Sequence, residues 1–333
     1  MSKFTERQLE IFERQQKTEA QALAELTSLY DKASRSLTNA VVAEQARGTD
    51  DALRRATRFQ KLLDEVEQEI ADLQKKSARI ITDSGKRSYI DTYNRLAYAY
   101  DEMVNTTKYR IAGETVYNNF PFLDSKAVQE ALFNTSVAGK TMSPVQFSKI
   151  MANQRNTLRE GVRAIIANVI ATGFGLDAGS QALEPLFVAL GDSLSKASNR
   201  AKTTARTEVL RAYSYAQMDA DREAVESGVE LEYKWDTSKD ERVRSSHRQM
   251  QGQIAQTNAQ GEPFFQYPDG TRTPAPRVYG SASNVINCRC TRLSYPAGFE
   301  PTARCYRQDG AWKTDATNLE YKTWLTEWRK RVK

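Results

Sequence analysis

From Phe4 to about Tyr117 apolar residues return at steps of three and four, with almost no Gly or Pro between them, the pattern of helices that each bury one stripe. Leu9, Phe12, Leu23, Leu26, Leu29, Ala33 and Leu37 mark a first helix. Phe59, Leu62, Leu63, Val66, Ile70 and Leu73 mark a second, with Asp64, Glu65, Glu67, Lys75 and Lys76 on its polar side. Gly48 in "ARGTDD" supplies the break, so two long antiparallel helices are expected. A third is expected from about Lys86 to Arg110, where Tyr89, Tyr93, Leu96 and Tyr100 recur at helical spacing and read as a bundle face.

Pro121, with Asp124 or Ser125 as cap, ends this bundle, and Ser143 before Pro144 opens a further helix. Ile165, Ile166, Val169 and Ile170 give that helix an apolar face, stopped by Gly173 and Gly175. Short helices follow, then a long one from about Thr203 to Ser227, stopped by Gly228. Its acids Asp219, Asp221, Glu223 and Glu226 read as a solvated face.

After Gly228 the period changes to two. "LEYKW" alternates Leu231, Tyr233 and Trp235 against Glu232 and Lys234, a half-buried strand. "SKDE" at 238–241 has the form of a capping box, opening a helix that would carry Asp240 and His247 on one face. A Gly/Pro-rich stretch of loop or short hairpins leads to a strand at "VINCRCTRLSYP", and "TNLEYKTWLTEWRKRVK" closes as an aromatic, basic helix. The fold class is α+β and predominantly helical. It divides into a helical arm at 1–142, a domain with a small β-sheet at 143–296, and a tail helix at 297–333.

The chain has 333 residues, three cysteines and one histidine. No apolar run approaches the roughly 20 residues that span a bilayer. The polar start carries no signal segment, and the odd cysteine count does not suggest a disulfide framework, so a reducing compartment is expected. The net charge of +6 is small for this length and only permits an anionic partner.

Two of the three thiols stand together. Residues two apart on a strand face the same side, so Cys288 and Cys290 can aim at one point, and His247 and Asp240 can complete a mixed N, S and O set of the kind zinc accepts, with Cys305 as the rival fourth ligand. The alternative is that the thiols pack as small apolar groups, with Leu231, Tyr233, Trp235 and Ile286 closing the region. There is no P-loop, no GxGxxG and no nucleophile elbow, so nothing requires catalysis. In the tail, Lys313, Lys322, Arg329, Lys330, Arg331 and Lys333 beside Trp324 and Trp328 can contact double-stranded DNA without sequence preference, or form an ordinary solvated terminus.

The order of "ARTEVLRAYSYAQ", "YKWDTSKDERVRSSHRQMQGQ", "PFF" and "NCRC" resembles the phage Mu F-like minor head proteins, also called phage head morphogenesis proteins, over about Ser143 to Pro296. Arg206, Thr207 and Glu208 fall on the "RTE" element; Trp235, Asp240, Arg242, Arg244 and His247 on the "W…D.RVR..H" element; Asn287, Cys288, Arg289 and Cys290 on "NCRC". Where such proteins often carry Asp-Gly soon after the histidine, this chain has Gln251 and Gly252. The resemblance implies a virion protein of a tailed phage, made in the host cytoplasm and placed at the portal vertex or capsid interior. Its implied partners are the portal protein, capsid or scaffold proteins and packaged DNA. The alternative it leaves open is a Mu F-like enzyme or toxin-associated protein with metal- or thiol-dependent activity.

Overall fold

A computed structural model describes residues 3–45, 52–106, 144–171, 184–238, 240–297, 304–308 and 311–315. The described elements are the helices α1 (Lys3–Gln45), α2 (Ala52–Thr106), α3 (Pro144–Ala171), α4 (Glu184–Glu226), α5 (Ser245–Gln249) and α6 (Ala282–Val285), and seven short strands. The strands are β1 (Leu231–Asp236), β2 (Gln256–Thr257), β3 (Pro263–Gln266), β4 (Arg272–Thr273), β5 (Thr291–Pro296), β6 (Arg304–Gln308) and β7 (Ala311–Asp315). The fold is therefore predominantly helical α+β, with small antiparallel sheets. Among the described residues no helix is long and apolar enough to cross a membrane.

Two compact units are present, one formed by residues 20–83 and 142–205, the other by 1–19, 84–141 and 206–333. The first is an all-helical core in which Leu26, Tyr30, Leu37, Leu62, Val66, Ile70 and Leu73 pack with Leu158, Val162, Leu190 and Leu194. Of these, Leu26, Leu37, Leu62, Val66, Ile70 and Leu73 belong to the stripes expected from steps of three and four; the side chains of Leu9, Phe59, Ile165, Ile166, Val169 and Ile170 lie outside the described residues.

In the second unit, Phe4 meets Tyr100 at 4.8 Å between ring centroids and Arg14 pairs with Asp91 at 3.1 Å, so α1 and α2 run antiparallel there. Tyr89, Tyr93, Leu96 and Tyr100 are all buried in one cluster, as the tyrosine stripe predicts. The separate third helix does not exist: α2 is continuous to Thr106. A Cβ at Gly85 would meet nothing within 4 Å, so this glycine sits in an ordinary helical turn. Its cost of about 1 kcal/mol is small against the burial on either side of it.

Helix α4 likewise absorbs the short helices expected before Thr203 and ends where Gly228 takes φ +90°. The Gly228 N–H donates to the Val225 carbonyl at 2.9 Å and the Val229 N–H to that of Ala224 at 3.0 Å, closing the helix end. Strand β1 then pairs antiparallel with β5, Leu231 opposite Pro296 through Asp236 opposite Thr291. Its other edge is occupied by 252–255, where the Trp235 N–H donates to the Gln253 carbonyl at 2.8 Å and Gly252, at φ +78°, donates back to the Trp235 carbonyl at 2.9 Å. With both edges covered, Lys234 is buried along with Tyr233, Trp235 and Asp236, not exposed as simple alternation suggests.

The Gly/Pro-rich stretch forms short hairpins, β2 with β3 and β3 with β4. Within 297–333 the described part is the β6–β7 hairpin; the expected tail helix lies outside the described residues.

Candidate metal centre

The stretch expected to be a capping box opens no helix. Asp240 lies in a turn, accepting the Arg242 N–H on its own carboxylate at 3.0 Å and the Val243 N–H on its carbonyl at 3.2 Å. Helix α5 begins later, at Ser245, with Arg244 at its cap and no side-chain cap bond. Local side-chain bonding to the backbone competes with helix, and here it wins because Arg289 grips the same carboxylate, 2.8 Å from Nη2 to Oδ1 with Nη1 on Oδ2. Asp240 therefore fastens the cysteine loop through Arg289 and is not one of the convergent ligand atoms.

Cys288 and Cys290 precede β5 rather than lying on it. Helix α6 ends at Val285 and Asn287 adopts φ +56°, a left-handed turn that asparagine tolerates better than most residues. The Asn287 N–H donates to Thr207 Oγ1 at 3.1 Å, which fixes the turn on α4. Although the strand argument for their facing fails, both sulfurs meet the histidine: His247 Nδ1 lies 3.4 Å from Cys290 Sγ and 3.5 Å from Cys288 Sγ. All three ligand atoms fall within 4.8 Å of one another and all three residues are buried. Both cysteines are free thiols.

Those distances suit a metal. With Zn–N near 2.05 Å, Zn–S near 2.3 Å and tetrahedral angles, nitrogen and sulfur ligands stand roughly 3.5–3.6 Å apart. The group can thus receive a cation with little movement. The walls are rigid: Trp235, fully buried, meets His247 edge-on at 6.0 Å and 89°, and Phe265 and Tyr267 pack on Trp235 at 5.3 and 5.6 Å. The cysteines belong to this same apolar cluster, so packing and ligation are not exclusive. Ile286, expected to help close the region if the thiols only pack, is 42% exposed.

Burial opposes ionisation of both thiols. At Cys288 it is outweighed by hydrogen bonds from Cys290 and His247 and by the charge of Arg277, so this thiol is held well below the ordinary range. Burial and its thiol neighbour push Cys290 well above it. The pair thus gives up one proton readily and the second reluctantly, and a divalent cation is what would draw off the second.

Arg277 was not singled out by the sequence pattern. It is fully buried at φ +69° in the Gly/Pro-rich stretch, and its guanidinium donates to the Leu210 carbonyl at 2.9 Å, Ser214 Oγ at 2.7 Å, the Cys288 carbonyl at 3.2 Å and the Cys290 carbonyl. It therefore clamps the backbone of both thiols to α4. Asp221 was read as solvated and is not: it is 1% exposed, accepting from Arg292, from Ser294 Oγ at 2.6 Å and from Tyr100 Oη. Gln217 donates to the Arg292 carbonyl at 2.7 Å. Thr207, Ser214, Gln217 and Asp221, spaced by seven, three and four, form a polar stripe on α4: Thr207, Gln217 and Asp221 hold 287–294, and Ser214 holds the Arg277 guanidinium. The stripe's regular spacing was the available signal, masked by the habit of reading polar stripes as wet.

Arg206 pairs with Glu19 at 2.6 Å, and Arg244 donates to the Ile286 carbonyl. Arg242 is largely exposed and reaches Asp240 only at 3.9 Å. Glu208 lies 3.3 Å from Arg211, and burial pushes its carboxyl up to about 6 despite that arginine. Where the resembling family often has an acid, Gln251 accepts the Thr237 N–H and Oγ1, each at 2.7 Å, and donates to Asp236 at 3.0 Å, a structural post that needs both an acceptor and a donor. Cys305 sits on β6 opposite Thr314 and Lys313 on β7 opposite Tyr306; their side chains, and all of Lys322, Trp324, Trp328, Arg329, Lys330, Arg331 and Lys333, lie outside the described residues.

No solved structure matches this chain. It is 28% identical over 196 residues to an NAD(+)–arginine ADP-ribosyltransferase, EFV, of Enterococcus faecalis, a match that covers 59% of this chain and 36% of that protein. The chain thus spans about a third of the length of that relative. The family model described as Phage Mu protein F like protein matches residues 160–293, a span that holds the polar stripe of α4, Arg277, His247 and both thiols. Over that span the chain is similar to the phage Mu protein F-like family.

Proposed function

We propose that this chain is a minor head protein of a tailed phage, held at the portal vertex or the capsid interior during head morphogenesis, and that His247, Cys288 and Cys290 bind zinc as a structural ion. The observation that carries the reading is the family match over 160–293, inside which the matched motifs are spent on one another. Thr207 receives the Asn287 N–H, Asp240 holds Arg289, and Ser214 supports the clamp on the cysteine loop. Residues used this way build a scaffold. In this reading 143–296 is the family domain, the helical arm at 1–142 offers the portal or capsid contact, and the basic tail touches packaged DNA.

Zinc is favoured over harder cations by the soft donor set. The ion would tie α5 to the loop before β5 across a long connection with few apolar residues, where loop closure is costly and structural zinc is worth about 10–16 kcal/mol in small peptides.

The test is quantitative mass spectrometry of purified empty heads and filled virions, with binding of the recombinant chain to portal protein in the absence of nucleic acid and elemental analysis of protein purified without added metal. Few copies per head, direct portal binding and about one zinc per chain are expected. Absence from both particles, or portal binding that returns only when DNA is added, would overturn the placement; substoichiometric metal would leave the thiols as packing groups.

A further inference from the structure

A cavity of about 230 Å³ opens beside the histidine–cysteine group. Among the described residues four arginines line it, Arg206, Arg242, Arg244 and Arg289, and no carboxylate does. Arg206 and Arg289 have acidic partners at 2.6 and 2.8 Å, and Arg244 is spent on a backbone carbonyl. Arg242, 75% exposed, has only a distant approach to an Asp240 that Arg289 already holds, so its guanidinium keeps donors to give. Asn287 shares the wall, and its amide oxygen is buried without a donor. His247, Cys288 and Cys290 share it too, so an ion held by these three would have its remaining position toward the cavity.

We propose that this cavity binds a phosphoryl group. The Arg242 guanidinium can donate to the oxygens of a tetrahedral phosphate, the other three arginines of the wall add positive charge, and the buried Asn287 oxygen would accept from a hydroxyl or water carried with it. The inference rests on the metal reading only for the added charge of the ion; the arginines serve without it. The same chemistry is found in a free phosphate or pyrophosphate and in the phosphodiester backbone of nucleic acid.

The test uses the full chain, zinc-loaded and chelated, at low salt. Inorganic phosphate and pyrophosphate are titrated calorimetrically, and a fluorescein-labelled single-stranded DNA octamer by anisotropy, against wild type, Arg242→Gln and the control Arg272→Gln. Arg272 stacks over Phe264 at 4.5 Å and is not part of the cavity wall. We expect Arg242→Gln to weaken the bound probes about tenfold, the loss of one charge-assisted bond, and Arg272→Gln to change them less than about twofold. Thermal melts of both variants should match wild type, since both guanidiniums sit at the surface.

Octamer binding displaced by pyrophosphate would support the site with a nucleic-acid backbone as its ligand. Pyrophosphate binding with no octamer binding would support it with a free phosphoryl ligand. Failure of all three probes, or equal weakening by both substitutions, would overturn it. Zinc present with no phosphate bound defeats this inference alone, whereas phosphate bound by a protein that never holds zinc defeats only the metal reading.

Discussion

The core of the unit formed by 20–83 and 142–205 is held by Leu, Ile, Val and Ala packed at helical spacing, whereas the part of the other unit around β1 and β5 is tied by buried polar groups such as Asp221 with Arg292 and Arg277 with Ser214. Leu26 and Ile70 need only to be covered; Asp221, Arg277, Arg292 and His247, all buried, need particular partners at particular distances. Apolar packing tolerates change because its attraction is non-directional, and a polar network does not, because one missing partner strands the rest in low dielectric. The two regions should therefore differ less in how much a truncation costs than in what repairs it.

The sharpest test is at Asp221. Its replacement by Ala strands the Arg292 guanidinium, which is only 3% exposed, and should cost about 3–5 kcal/mol in urea unfolding followed by circular dichroism. Leu26→Ala should cost a similar amount, about 2–5 kcal/mol, through its cavity. The repairs separate them: Asp221→Leu with Arg292→Met should recover at least about 1 kcal/mol over Asp221→Ala, since the stranded charge is gone. No polar substitution should rescue Leu26→Ala. Equal, unrepairable losses at both sites would erase the distinction.

Metal should stabilise one region and not the other. With free zinc at about a hundred times its dissociation constant, the native state gains about 2.7 kcal/mol, so chelation should lower the melting temperature of wild type and leave His247→Ala and Cys288→Ser unmoved. Hydrogen exchange gives the regional readout. Amides of β1, α5 and β5 should exchange faster on chelation while those of Leu62 to Leu73 do not. A uniform acceleration would mean that the ion supports the whole chain.

The same contrast sets what the sequence could tell. Stripes such as Leu62, Val66, Ile70 and Leu73 were legible because burial of a helix leaves a period, and β1 was legible because a strand leaves another. The convergence of His247, Cys288 and Cys290 was legible because so few residues of these types exist to choose from. The expected start of a separate helix at about Lys86 does not occur, because the single Gly85 before it is outweighed by packing on both sides. The turn at Asp240 was misread because its deciding partner, Arg289, is 49 residues away. Arg277 left no trace at all: a lone arginine in a Gly/Pro-rich loop has no period, and its role exists only once Leu210, Ser214 and the two cysteine carbonyls surround it.

Arg277→Lys keeps the charge and breaks the fork. A single ammonium cannot serve four acceptors in those directions, so at least one buried carbonyl is left bare, at about 2 kcal/mol. Zinc affinity should fall with it, because the backbone of both thiols is no longer pinned; a chelator competition read with a zinc dye follows this separately from the melt. Unchanged affinity beside a lowered stability would confine Arg277 to packing.

The smallest effect expected is at Glu208, and its sign is opposite to the others. Burial raises its carboxyl from the ordinary 4.5 to about 6, so the folded state holds a proton more tightly than the unfolded one. Between those values the native chain binds more protons, and its stability therefore falls as pH rises from about 4.5 through 6 and stays lower above that range. The side chain is still 17% exposed and Arg211 stands 3.3 Å away, so solvent and the ion pair return part of the cost, leaving about 1 kcal/mol. Glu208→Gln should then match wild type near pH 4 and exceed it by about 1 kcal/mol at pH 8, measured by urea unfolding at both. A glutamine variant less stable than wild type at pH 8 would show that the Arg211 pair outweighs the burial, and would place this position with the polar network as a partner that cannot be removed.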